Sequence, residues 1–159
     1  MPLRYLVPVG RILFALIFIV AAPRHFTAEG AQHAAELGLP GAFVLVPVSG
    51  IMALLGGLSV AVGYKARCGA WMLAAFLIPV TLTMHAFWRL QDAVAIHIQQ
   101  AMFAKNLSML GAALLISQFG AGALSVDDRK VSRDCEACER VPGQKAPSGS
   151  APNLEADSK

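Results

Sequence analysis

Charge is what this sequence lacks most. Charged residues make up 14% of its 159 positions and hydrophobic ones 56%, against about 25% and roughly 45–50% in ordinary soluble domains. Up to Val126 the only acids are Glu29, Glu36 and Asp92. That body carries a net charge of +4, and the segment from Asp127 onward carries −1. The high pI, near 9.0, therefore comes from a few bases beside apolar runs. There is no basic stripe or nucleic-acid motif, so nucleic acid is excluded as a partner. Three cysteines do not make a disulfide framework. The sequence also has no phosphate-cradling loop, nucleophile–base motif, haem-attachment sequence or metal-spaced histidine pair. These absences argue against a complete enzyme in one chain, and no residue is assigned a catalytic role.

What is present is a set of long apolar runs. No charged residue occurs from Gly41 to Gly63 or from Cys68 to Trp88. At about 1.5 Å per residue, each run crosses the roughly 30 Å hydrocarbon core as a helix. The pattern predicts an all-α membrane domain over residues 1–127, with four transmembrane helices at about 5–26, 41–63, 68–88 and 98–121. Arg11 interrupts the first span near its start, where its stem is expected to snorkel to the headgroups. Ile12 to Ala22 also resembles the apolar core of a signal peptide, but Pro23 directly after Ala22 argues against cleavage there. The last run, Ala93 to Val126, opens with His97, Gln99, Gln100 and Lys105 and reads as an apolar span with a polar first turn. Polar or turn-rich links are expected at residues 29–41, 64–67 and 89–95. Residues 128–159 are rich in Pro, Gly, Ser and balanced charge, and are expected to form a disordered cytoplasmic tail.

Small residues recur every four positions at Ser49, Ala53, Gly57 and Ala61, and again at Ala66, Ala70 and Ala74. This spacing lets helix backbones approach closely in lipid and predicts a tight pairing of spans two and three. Pro47 and Pro79 leave carbonyls that hydroxyls or neighbouring helices must satisfy. Cys68 is expected to be a small buried hydrophobe.

Several segments resemble the DoxX family of small four-helix membrane proteins. They are Gly10-Arg11-Ile12-Leu13-Phe14, Arg24-His25-Phe26, Ser49-Gly50 through Leu55-Gly56-Gly57, Met84-His85-Ala86-Phe87-Trp88, Phe103-Ala104-Lys105-Asn106-Leu107 and Gly120 through Asp127. Ala21-Ala22-Pro23 departs from the glycine-containing turn expected there, and the tail has no counterpart. The resemblance implies a four-helix fold and a link to membrane redox chemistry, with redox partner proteins and a quinone as possible cofactor. Homo-oligomers are also compatible with it.

The residue chemistry concentrates toward one end of the spans. Arg24, His25, His85, Lys105 and Asn106 come from three helices to a similar depth, with no acid inside any span. An ionisable group at that depth costs several kcal/mol (roughly 2.5–3.5 on insertion scales) and points to function. His85 can hydrogen-bond a carbonyl or exchange a proton. Lys105 and Arg24 supply positive field, and Asn106 both donates and accepts. Snorkelling of Lys105, a helix carbonyl bonded to His85 and headgroup binding by Arg24 are the competing structural roles. In the tail, Cys135 and Cys138 have the spacing of redox and metal sites. Three flanking acids oppose a lowered thiolate pKa, and no tail histidine completes a zinc set, so they are weak metal candidates.

Two functional readings follow: a membrane subunit or partner of a redox complex, with a quinone as its candidate link and an outward-facing polar site; or a non-catalytic small-solute transporter or assembly factor. The expected location is a bacterial inner membrane, crossed several times. Basic residues near the span ends place Lys65, Arg67 and both termini in the cytoplasm. A reporter fused after Asp127 should therefore give a cytoplasmic signal, and a periplasmic signal would remove this orientation.

Overall fold

A computed structural model describes residues 5–129, and among these every regular element is helical. Helix α1 spans Leu6–Ala21 and passes into a 3-10 turn, Ala22–Phe26. Then come α2 (Ala28–Glu36), α3 (Ala42–Val62), α4 (Ala66–Met84), a second 3-10 turn (Phe87–Arg89) and α5 (Ala93–Phe119). Four segments are long and apolar enough to cross a membrane: Leu6–Phe26, Ala42–Val62, Ala66–Arg89 and Ala93–Phe119. The protein is an all-α, multi-pass membrane protein. The expected tail, with Cys135 and Cys138, lies outside the described residues.

The backbone pairings are α1 with α3, α3 with α4, and α4 with α5. These helices form an open arc in which α1 and α5 do not pair closely. The core holds Ala15 and Phe18 of α1, Ala53 and Val60 of α3, Leu73 and Leu77 of α4, and Ala113 of α5. Large side chains such as Leu13, Val44, Trp71 and Leu115 stand exposed around it, which suits helices whose outer faces meet acyl chains. Helix α1, the segment resembling a signal core, is part of the bundle.

The tight α3–α4 pair exists, but not in the expected register. Gly57 of the predicted ridge faces α1, where an added Cβ would lie 3.2–3.4 Å from Ile19, Phe18 and the Ala15 carbonyl. The approach to α4 uses the next residue, Gly56. A Cβ on Gly56 or on Gly69 would lie 3.0 Å from the other's carbonyl oxygen. Ala66, Ala70 and Ala74 are buried as well, so the small face of α4 is inward.

Other expectations need correction. Arg11 does not snorkel: it is 6% exposed, and its Nη1 donates to the Ala121 carbonyl at 2.6 Å. The chain after α5 folds back to meet it, because Gly120 ends the helix at φ +81. Cys68 is exposed. The link after residue 27 contains α2, whose Ala31 and Ala34 are buried and whose start is capped by Thr27 Oγ1 accepting from Gly30 N–H. Helix α5 begins at Ala93, not near residue 98, because Asp92 accepts from the Ala95 N–H at 2.8 Å and caps it. At 27 residues it is about 40 Å long, about 10 Å more than a 30 Å core requires. The prolines are handled differently too. Ser49 donates to the Val46 carbonyl and Thr83 to the Pro79 carbonyl, and neither carbonyl is the one four residues before Pro47 or Pro79.

The α3–α4 turn shows how the ends are tied. Gly63 adopts φ +73 and Lys65 φ +48, left-handed conformations that reverse the chain in few residues. Asp127 then accepts from the backbone N–H groups of Lys65 and Ala66 at 2.9 and 3.1 Å. Its own N–H donates to the Gly63 carbonyl at 2.9 Å. A carboxylate at the start of α4 meets both orphan donors and the helix dipole.

The glycine contacts predict a clear contrast. Gly69→Ala would set a methyl 2.5 Å from Ser59 Oγ and should destabilise the protein by about 1–3 kcal/mol, as overpacking does. Gly111→Ala meets nothing within 4 Å and should be neutral or slightly stabilising. Thermal unfolding in detergent checks both, and equal tolerance would show that the pair is looser than described.

Candidate functional site

Helix α4 stops at Met84 and His85 caps its C-terminus, with φ −117 and ψ +37. The expected regular helix through Trp88 is replaced by a 3-10 turn, held to α5 by aromatic rings. Phe87 and Trp88 lie edge-on to Phe103 at centroid distances of 5.6 and 6.1 Å. This turn fixes His85 over α5. His85 Nδ1 lies 2.7 Å from Gln99 Oε1. With Nδ1–H donating to that oxygen, the neutral ring keeps Nε2 as an acceptor.

Asn106 stands two turns further along α5, on the same face as Gln99. It is 4% exposed, yet its amide has no hydrogen-bond partner among the described residues. The residue as a whole is buried, but its amide atoms are not sealed in: the enclosed side-chain atom left without a partner among the described residues is Arg11 Nε, and the Asn106 amide opens onto a cleft. Lys105 is next to Asn106 and exposed, with Nζ 3.4 Å from Met102 Sδ. His25 enters from the other side. Its Nδ1–H donates to the Ala21 carbonyl at 3.3 Å, and its ring lies 5.6 Å from that of Phe76. Gly50 permits this approach, since a Cβ there would fall 2.5 Å from the His25 Cβ.

His25, His85, Lys105 and Asn106 border one cleft of about 150 Å³ between α1, α4 and α5. Apart from these four groups its wall is apolar, with Phe18, Phe76, Leu77 and Met109. Arg24 does not border it. That side chain is exposed, and the Arg24 carbonyl accepts from Thr27 Oγ1 at 2.8 Å, which turns the chain away into α2. Four of the five expected residues are thus together and one is apart. Gln99 was not singled out as a site residue. Its signal was the seven-residue spacing to Asn106 and again to Ala113, the two buried residues of α5.

Chemically, the cleft offers one lysine cation, one amide that donates and accepts, and two imidazoles, each held through Nδ1. No group of three or more His, Cys, Asp or Glu side chains is placed to hold a metal among the described residues. A small anion or carbonyl compound fits this donor set: Lys105 supplies charge and Asn106 a directed N–H. If the Gln99 bond orients His85, Gln99→Leu should leave thermal stability within about 1 kcal/mol, since one neutral hydrogen bond contributes about that. The same change should alter the His85 ring signals in NMR spectra; unchanged signals would show that the bond does not form.

Comparison with known proteins resolves the family. Residues 2–132 match the SURF4 family, and the chain belongs to it. This corrects the DoxX resemblance, whose short motifs are too small to separate one four-helix membrane family from another. The redox, quinone and redox-partner expectations came with that resemblance and lose their support with it. The chain is 31% identical to the Escherichia coli inner membrane protein YqjF over 121 residues, covering 75% of this chain and 87% of the relative. It is 29% identical to the E. coli inner membrane protein YphA over 124 residues, covering 76% and 87%. It is also 30% identical over 126 residues to the ER-derived vesicles protein ERV29 of Saccharomyces cerevisiae, covering 79% of this chain. The match spans only 34% of that yeast protein. No solved structure matches.

Proposed function

We propose that this SURF4-family chain is a non-catalytic membrane protein of the bacterial inner membrane that binds and transports a small anionic solute through the cleft at His85, Lys105 and Asn106. The observation that carries this reading is the Asn106 amide, which bonds no protein group among the described residues and opens onto an otherwise apolar cleft beside a lysine. A soluble carboxylate or a related oxyanion would accept from that amide and from Lys105 at once. The His85 Nε2 acceptor would orient a hydroxyl or protonated oxygen on the same solute. The cleft volume, about 150 Å³, admits a benzene-sized molecule. The E. coli relatives named as inner membrane proteins support the location. The basic residues at the ends of the spans support a cleft that opens outward.

The test is uptake of radiolabelled benzoate by proteoliposomes holding the purified protein, with benzamide as the uncharged counterpart and other small carboxylates beside them. Uptake should favour the carboxylates. Asn106→Leu and Lys105→Met should each weaken it about tenfold or more, since a hydrogen bond to a charged group contributes ~1.5–3 kcal/mol. Lys105→Arg should fall between them and the parent, because it keeps the charge but changes reach and geometry. If benzamide enters as well as benzoate, or both variants match the parent, the anion-transport reading is wrong.

A further inference from the structure

A second cleft lies at the other end of the same seam between α1 and α5. Its volume is about 260 Å³, just under the roughly 300–1,000 Å³ usual for ligand pockets. Leu6, Val7 and Phe14 line it from α1, and Leu115 and Ile116 from α5. One charged residue borders it, Arg11. That side chain is 6% exposed. Nη1 is taken by the Ala121 carbonyl, but Nε has no hydrogen-bond partner among the described residues. A buried donor left unmet costs ~1–3 kcal/mol, and more on a charged group.

The surroundings say what kind of partner is missing. The C-terminal ends of α3, at Gly63, and of α5, at Gly120 and Ala121, both converge on this guanidinium. Each helix end carries roughly half a negative charge. Asp127, clasped to the start of α4, adds further negative field. The positive charge of Arg11 is therefore largely offset already. What the site needs is an acceptor oxygen for an N–H, joined to something apolar that fills the remaining volume. Arg11 lies five residues into α1, about 7.5 Å along the helix axis. That keeps it within about one and a half turns of the end of the span, close to where lipid ester oxygens meet the acyl chains.

We propose that this cleft is a phospholipid site, in which one acyl chain lies between α1 and α5 and a headgroup or ester oxygen accepts from the Arg11 guanidinium. The occupant enters sideways from the bilayer, because α1 and α5 do not pair closely there. The site is separate from the cleft at Asn106 and does not depend on its assignment.

Native mass spectrometry of the full chain tests the proposal, after reconstitution in vesicles of equal parts phosphatidylglycerol and phosphatidylethanolamine and stepwise delipidation. One phospholipid per chain should persist on the parent protein. Gly10→Leu fills the cleft without touching the Arg11 bond, and a Cβ at Gly10 meets nothing within 4 Å, so the fold should survive. Retention should drop about tenfold in that variant, equivalent to ~1.4 kcal/mol, with the melting temperature of the delipidated protein unchanged. Arg11→Lys, which keeps charge but loses the planar fork, should also lower retention if it folds. Equal retention by the parent and Gly10→Leu would overturn the site. So would displacement of the lipid by inorganic phosphate alone, because the acyl chain would then contribute nothing.

Discussion

The close approach of α3 and α4 at Gly56 and Gly69 organises this molecule. In lipid there is no water to expel, so helices associate through packing and hydrogen bonds. A contact in which each glycine nearly touches the other's carbonyl gives the packing that bulkier residues forbid. Helix α1 rests on α3 at Gly57, and α5 pairs with α4. Helix α5 carries small residues at Ala104, Ser108 and Ala112, but α1 presents Leu6, Val7 and Phe14 to the space between them, and the two helices do not pair closely.

That seam is where the polar side chains within the spans collect. Arg11 borders one end of it, and Lys105, Asn106 and the two histidines border the other. Had α1 and α5 closed on each other, these groups would have been buried against aliphatic side chains at several kcal/mol each (roughly 2–7 for an unpaired amide). At the Arg11 end the cost is reduced by helix ends, the Ala121 carbonyl and the Asp127 clasp. At the Asn106 end His85 bonds Gln99 and Lys105 bonds the Met102 sulfur, while Asn106 bonds no side chain among the described residues. The two ends are built from similar materials, and they differ in how much of the polar demand the protein meets itself.

Much of the fold was readable because absence of charge over twenty residues has one physical meaning. Gly41 to Gly63 and Cys68 to Trp88 could be read as spans without any tertiary information. Helix α2 was less visible, since Ala-Glu-Gly-Ala-Gln-His-Ala-Ala-Glu looks like a polar link unless Thr27 is taken as a cap and Ala31 with Ala34 as a buried face. The role of Arg11 was not legible. Its partner is the backbone carbonyl of Ala121, 110 residues away, and a carbonyl leaves no mark in a sequence. The same limit explains Gly56 and Gly57: both are small, and only the geometry shows which helix each one meets. Arg24 does not border the cleft for a local reason, because the 3-10 turn at Ala22–Phe26 points successive side chains in different directions.

Asn106 and Arg11 also separate two kinds of polar burial that a sequence treats alike. The guanidinium is anchored: one nitrogen bonds a carbonyl that terminates α5, so removing the side chain would loosen the fold. The amide is not anchored to anything on the chain. Nothing in the packing of α5 requires an amide there, because Ala113 occupies the equivalent place two turns further on with no polar group at all. A leucine-like side chain would satisfy a purely structural role better, since it has no donors or acceptors to leave unmet. An unanchored amide next to a cation is what the proposed solute site draws on, whereas the anchored guanidinium is explained first by the fold, through its bond to the Ala121 carbonyl.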